Sequence, residues 1–235
     1  SSQPLTALLL ASPGYPRGVG VQLTGESVSR GYSRLTIEIC KACGSMDIPD
    51  GGSLRLEPWR VMTPDRVVIP GEASLVPMSM LYDRLFGTKS NVGIPSGDPL
   101  MAEAIERIGR MEGGMVNLRD ASDIISPAAA LMAIEGGGTI TGVRHARGKE
   151  SDRIDRTVGM LADFGMTSRS TDDGIEIPGG QVPSRPKRPV EAHCDHRLAM
   201  TAMVLACKVG GKIVNPHICA ITDPEFIERL TRLDE

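Results

Sequence analysis

The chain is predicted to be a mixed α/β protein built from a repeated unit of helix, strand, helix and strands. Segments with apolar residues three and four apart alternate with short β-branched and aliphatic runs, each bounded by glycine, proline or an acidic residue. Aromatic residues are only 3% of a chain that is 40% hydrophobic, so aliphatic side chains and 12 methionines must fill the core. At 235 residues with 23% charged, the chain can bury a sizeable core as one large or two modest domains.

Composition also excludes. A net charge of −3 and a pI near 5.9 give no global basic field, and scarce aromatics leave no base-stacking platform, so nucleic acid is not an expected partner. No apolar run approaches the roughly 20 residues that span a bilayer, and a leader ahead of the first helix is not expected. No membrane association and a cytoplasmic location are the expectations. Five cysteines without regular spacing suit a reducing compartment. Cys40 and Cys43 form a lone Cys-x-x-Cys inside a helical pattern, which reads as core filler. The chain opens Ser-Ser-Gln without methionine, and a fragment is the expectation.

In order, Ser1-Ser2-Gln3-Pro4-Leu5 begins a helix through Leu10, with Pro4 in its first turn and serine hydroxyls that cap it or meet phosphate. Gly18 to Thr24 alternates as a strand. Ser29-Arg30-Gly31-Tyr32 precedes a helix from about Ser33 to Ala42, stopped at Gly44. Leu54 to Met62 and Arg66 to Ile69 read as strands, residues 74 to 86 as a helix, and Asn91 to Ile94 as a short strand. Asp98 caps an amphipathic helix to Met111. After Gly113-Gly114 and Met115 to Asp120 come a helix from Ile125 to Ile134 and a strand from Thr139 to Val143. Thr167 to Ile177 is a hairpin turning at Asp172-Asp173-Gly174. Gln181 to Pro189 is an exposed basic loop, Asp195 caps an apolar helix from His196 to Cys207, Lys212 to Asn215 is the last strand and Asp223 to Leu233 the last helix.

Between Val143 and Ile154 the sequence concentrates charge. Ile154, Val158, Leu161 and Phe164 define one apolar helix face, with the helix starting near Glu150. Lys149 and Arg153 then stand four apart as a like-charge pair opposite that face, with Arg144 and Arg147 beside the positive dipole end. A negative partner relieves this, and Glu150 in its midst either holds the cations or exchanges a proton. A solvated basic helix start is the plainer alternative. His193, Cys194 and His196 crowd one helix entry and lack a fourth ligand, so no metal is assigned there.

Three strings together carry a resemblance: Ser1-Ser2-Gln3, Lys149-Glu150-Ser151-Asp152-Arg153-Ile154, and Asp195-His196-Arg197-Leu198-Ala199-Met200. In order and separation they resemble the 5-enolpyruvylshikimate-3-phosphate synthase family, specifically its second half. The resemblance implies βαβαββ-like units gathered three to a domain, about four of the six being present. Residues 1–70 would complete one domain, with a boundary near Pro70, and residues 71–235 would form most of the other. It also implies transfer of the enolpyruvyl group of phosphoenolpyruvate to the 5-hydroxyl of shikimate 3-phosphate, with no metal or organic cofactor, by an enzyme that is monomeric when complete. By motif position, Ser1, Ser2, Gln3, Ser29, His145 and Lys149 would contact shikimate 3-phosphate. Glu150 would be the proton donor near phosphoenolpyruvate, which Arg153 and Arg197 would grip, and Lys149 would also be catalytic. The family's catalytic aspartate matches Asp123, with Asp120 as the alternative, although Asp123 could equally cap its helix. The related UDP-N-acetylglucosamine enolpyruvyl transfer and a degenerate, non-catalytic paralogue are the alternatives in function. The former branch lacks the Lys-Glu-Ser-Asp-Arg arrangement.

The chain departs from the family pattern at four places. The opening portion with its phosphoenolpyruvate loop has no counterpart, and a two-stranded hairpin expected near residue 114 is absent. In the segment that resembles the family's Ser-Lys-Pro-Tyr, Arg30 and Gly31 stand for lysine and proline. Ile221 occupies the place of a lysine that reaches toward phosphoenolpyruvate.

Overall fold

The computed structural model describes residues 2–25, 27–46, 48, 52–69, 71–95, 97–110 and 113–233. Two helices and a two-stranded ladder form the first part: α1 (Gln3–Ala11), β1 (Val19–Gln22), α2 (Arg30–Ala42) and β2 (Ser53–Leu56). The strands are antiparallel, with Val19 opposite Leu56 and Gln22 opposite Ser53. Leu9, Ile37, Cys40, Ile48 and Leu56 make a small core between them. Trp59 packs beside it and donates Nε1–H to Ser12 Oγ at 2.8 Å.

Helix α2 starts at Arg30, three residues earlier than its pattern suggests. Its first amide is satisfied from outside, since Arg30 N–H donates to Asp120 Oδ1 at 2.9 Å. Glycine at 31 follows from crowding: a Cβ there would lie 2.3 Å from Asp98 Oδ2, and that carboxylate is already committed to the amides of Leu100 and Met101.

The second part opens with α3 (Val76–Phe86) and α4 (Pro99–Gly109), the latter capped by Asp98 as expected. Then β3 (Met115–Asn117), α5 (Ile125–Ile134), β4 (Gly138–Thr141), α6 (Arg153–Asp163), β5 (Arg169–Ser170) and β6 (Ile175–Ile177) form one complete β-α-β-α-β-β unit. Its sheet order is β3-β4-β6-β5, with β3 parallel to β4 and the remaining pairs antiparallel. The hairpin turn presses against the sheet, and a Cβ at Gly174 would meet the Ile140 carbonyl oxygen at 1.8 Å. Last come β7 (Val190–Glu191), α7 (His196–Val209), β8 (Ile213–Val214) and α8 (Phe226–Leu233), with β7 and β8 parallel.

Helix α5 is buried on every side from Ile125 to Ala133, and α7 from His196 to Leu205, so both run through the larger core. Helix α3 packs on both, and α6 lies against α5 and α7. No helix of the described residues is long and apolar enough to cross a membrane.

Several expected boundaries are corrected. The strand over Leu54–Met62 is only Ser53–Leu56, and neither Arg66–Ile69 nor Asn91–Ile94 forms a strand. A β-favouring sequence becomes a strand only where a neighbour completes the ladder, and none of the described residues does so here. Of the expected repeated units, residues 115–177 alone carry a full strand set among the described residues, and the α3–α4 stretch contributes helices without strands. Helix α8 begins three residues after Asp223, whose carboxylate instead accepts from the Glu225 amide at 3.2 Å. Met111 and Pro70 lie outside the described residues.

Candidate active site

Residues 144–154 do not form one helix start. A 3-10 turn covers Arg144–Gly148, Lys149 is extended at φ −83° and ψ −151°, and α6 begins only at Arg153. Asp152 wins the cap by accepting from the Asp155 amide at 3.1 Å, which moves the start past Glu150. Lys149 and Arg153 therefore do not share a solvated helix face, and Arg153 is fully buried.

The like-charge tension is relieved internally. Lys149 Nζ lies 2.7 Å and Arg153 Nη1 2.8 Å from the same oxygen, Asp123 Oδ1. Arg153 also gives Nη2 to Glu150 Oε2 at 2.7 Å and Nε to Asp195 Oδ2 at 2.9 Å. Asp195, itself fully buried, accepts from Ser151 Oγ at 3.1 Å and caps α7 through the Arg197 amide at 2.9 Å. One guanidinium and one carboxylate thus tie the two motif strings together.

Burial alone would raise Asp123, but the Lys149 ammonium and its hydrogen bond, with Arg153 and Arg197 behind, hold it well below the usual carboxylate range. Burial is likewise outweighed at Asp195 by Arg153, which keeps that carboxyl low. Partial burial and the Asp123 charge push the Tyr32 phenol up, its hydroxyl donating to Asp123 Oδ2 at 2.8 Å. Burial depresses His145 and His196, reinforced by Lys149 at the first and Arg197 at the second.

These groups face a cleft of about 690 Å³. Its first wall is Ser2, Gln3, Thr6, Ser29, Tyr32 and Thr36 from α1 and α2, and its second is Asp123, His145, Lys149, Glu150, His196 and Arg197. Ser29 reaches it from a left-handed backbone, φ 55° and ψ 44°. Thr6 and Thr36 share a hydroxyl hydrogen bond of 3.1 Å that couples the two helices of the first wall.

Of the residues expected from sequence, Ser2, Gln3, Ser29, Asp123, His145, Lys149, Glu150 and Arg197 line this cleft. Ser1 lies outside the described residues. Arg153 sits beneath the cleft, engaged by three carboxylates. Asp123 makes no cap hydrogen bond to its helix, whereas Asp120 is drawn off to Arg30, 2.6 Å away. Arg197 is 5% exposed, yet its Nε and Nη1 have no hydrogen-bond partner among the described residues. Ile221 is 71% exposed on a 3-10 turn and is not among the residues lining the cleft.

Sequence reasoning gave no role to Tyr32, Thr6 or Thr36, and to Asp195 only that of a helix cap. Tyr32 had a signal, because it stands one helical turn after Ser29 and so faces the same way. No group of three or more His, Cys, Asp or Glu among the described residues could hold a metal ion.

The family model described as EPSP synthase (3-phosphoshikimate 1-carboxyvinyltransferase) matches residues 98–230. The chain is 26% identical over 268 residues to a 3-phosphoshikimate 1-carboxyvinyltransferase of Methanosphaera stadtmanae, a match covering 100% of this chain and 61% of that protein. It is 30% identical over 256 residues to the protein of that name from Methanothrix thermoacetophila, covering 99% and 60%. An EPSP synthase structure from Acinetobacter baumannii superposes with a TM-score of 0.75 at 21% identity, over 99% of this chain and 60% of that one. The chain thus spans about 60% of the length of these relatives. Over that span, it belongs to the EPSP synthase family.

Proposed function

We propose that the chain supplies the larger part of an enzyme that moves the enolpyruvyl group of phosphoenolpyruvate onto the 5-hydroxyl of shikimate 3-phosphate, releasing phosphate. The observation that carries this is Arg197, a buried guanidinium with unpartnered Nε and Nη1 at the wall of the cleft. A buried cation with free donors is costly unless an anion arrives, and both substrates bring phosphate and carboxylate. Ser2, Gln3 and Ser29 from the first wall and His145 from the second are the contacts proposed for shikimate 3-phosphate, with Ser1 a further one. Lys149 and Asp123 are the groups proposed to act on the reacting hydroxyl. Glu150, held through Oε2 by Arg153, is the proposed proton donor to the methylene carbon. Arg153 acts in this reading by fixing Asp123 and Glu150, with Arg197 as the grip on phosphoenolpyruvate.

Residues 1–70 and 71–235 are proposed as parts of two domains that close on this cleft. In support, among the described residues the smaller core draws on residues up to Trp59 and the larger on residues from Ala73. Calorimetry of the chain with shikimate 3-phosphate tests the reading. Saturable binding, weakened by Lys149→Met, is expected, and absence of binding contradicts it. A non-catalytic relative that binds phosphorylated metabolites is the second reading, favoured by the apolar Ile221. Binding without phosphate release in the assembled protein would select it.

A further inference from the structure

A second cavity lies among α3, α7 and α8, and it shares no lining residue with the cleft. Its volume is about 200 Å³. Leu75 and Met78 at the start of α3, Val204 of α7, and Phe226 and Leu230 of α8 give it apolar walls. Tyr82 adds a ring that stacks on Phe86, with 4.4 Å between centroids. An apolar cavity of roughly 150 Å³ already takes up benzene, so this one has room for a single ring with a short chain.

The polar groups of the cavity decide what that chain must carry. Arg229 gives Nη2 to Asp223 Oδ2 and Nη1 to Glu225 Oε2 at 3.1 Å, so its charge is already met by two carboxylates. The Asp223–Arg229–Glu225 group therefore carries a net negative charge. Ser90 is held by Asp83, its amide donating to Oδ2 and its hydroxyl to Oδ1, each at 2.8 Å. With its proton committed, Ser90 Oγ offers the cavity only lone pairs. Asp223 is 7% exposed and accepts from Arg229 and from the Glu225 amide, which leaves part of its acceptor capacity unspent among the described residues. What the cavity lacks is a donor. We propose that it binds a small apolar amine, the body among the aliphatic side chains and the protonated nitrogen donating to the acceptors that Asp223 and Ser90 leave open. A carboxylate of the same shape would face Asp223 with Arg229 already matched. The inference rests on this cavity and is independent of the enolpyruvyl-transfer reading.

Isothermal titration of this chain with phenethylamine near neutral pH tests it, with hydrocinnamate as the probe of matched body and opposite charge. Saturable one-to-one binding of the amine is expected, and the acid is expected to bind about tenfold or more weakly. Ser79→Phe, at a lining position on α3, fills the cavity and is expected to weaken the amine about tenfold or more. Ser90→Ala removes one acceptor and is expected to weaken it about threefold. Circular dichroism establishes that each variant is folded, and should Ser79→Phe not fold, Ser90→Ala decides by itself. No saturable binding, equal affinity for amine and acid, or amine binding indifferent to the variants would each overturn the proposal. None of these readouts uses either substrate, so failure here leaves the enolpyruvyl-transfer reading untouched.

Discussion

Arg153 and Asp195 stand 42 residues apart in the chain and meet with neither side chain exposed, Nε to Oδ2 at 2.9 Å. The pair joins the start of α6 to the start of α7, and through Arg153 it also fixes Asp123 and Glu150. Arg153→Met leaves a buried carboxylate without its counter-charge, for which the expected loss is about 3 to 5 kcal/mol of stability. Urea unfolding checks this, and Arg153→Met with Asp195→Asn is expected to lose less than the sum of the single variants. Additive losses would mean that the two groups do not act as a pair.

The same network sets a pH dependence. Asp123 and Asp195 have folded-state values below their unfolded ones, so their stabilisation is complete above the unfolded value of about 3.9 and is lost as pH falls below it toward the folded values. Stability is therefore expected to be flat near neutrality and to drop in acid below about pH 4. Asp123→Asn is expected to shallow that acid limb in urea midpoints measured against pH. An acid limb of unchanged steepness would contradict the assignment.

In an assembled enzyme, Lys149→Met is expected to lower kcat/KM by on the order of a hundredfold, about 3 kcal/mol of transition-state stabilisation. The variant also removes the strongest influence holding Asp123 low. Steady-state phosphate release measures the effect, and an unchanged rate would refute the role given to Lys149.

Ile221→Lys tests the departure at the last 3-10 turn. The side chain is 71% exposed, so lysine replaces it without disturbing packing. The phosphoenolpyruvate Michaelis constant is expected to fall about tenfold or more, with turnover changing less, as one charge-assisted contact is gained. A constant that stays level or rises would mean that residue 221 does not reach the ligand.

The sequence-based reading was strongest where local chemistry decides the structure. Asp98 and Asp195 were legible as caps, Ile125 to Ile134 as a helix, the largely apolar run after Arg197 as a buried helix, and Asp172-Asp173-Gly174 as a turn. It was weakest where a distant partner decides. Residues 57–62, 66–69 and 91–94 have strand composition but no described ladder partner. The start of α6 was placed early because the sequence offers Glu150, Ser151 and Asp152 as successive candidates, and only Asp152 reaches the Asp155 amide. Within the site, eight of the residues named from the sequence line one cleft. It gave no hint that Arg153 is buried or that Tyr32 meets Asp123 across 91 positions, because both depend on how α2, α6 and α7 pack.

Phosphate release from phosphoenolpyruvate and shikimate 3-phosphate tests the central claim most directly, measured with this chain alone and with the remaining family portion added. The account predicts no release by the chain alone, and on completion a steady release that Lys149→Met and Arg197→Met each suppress. Release by the chain alone, or none from a completed complex that binds both substrates, would contradict it.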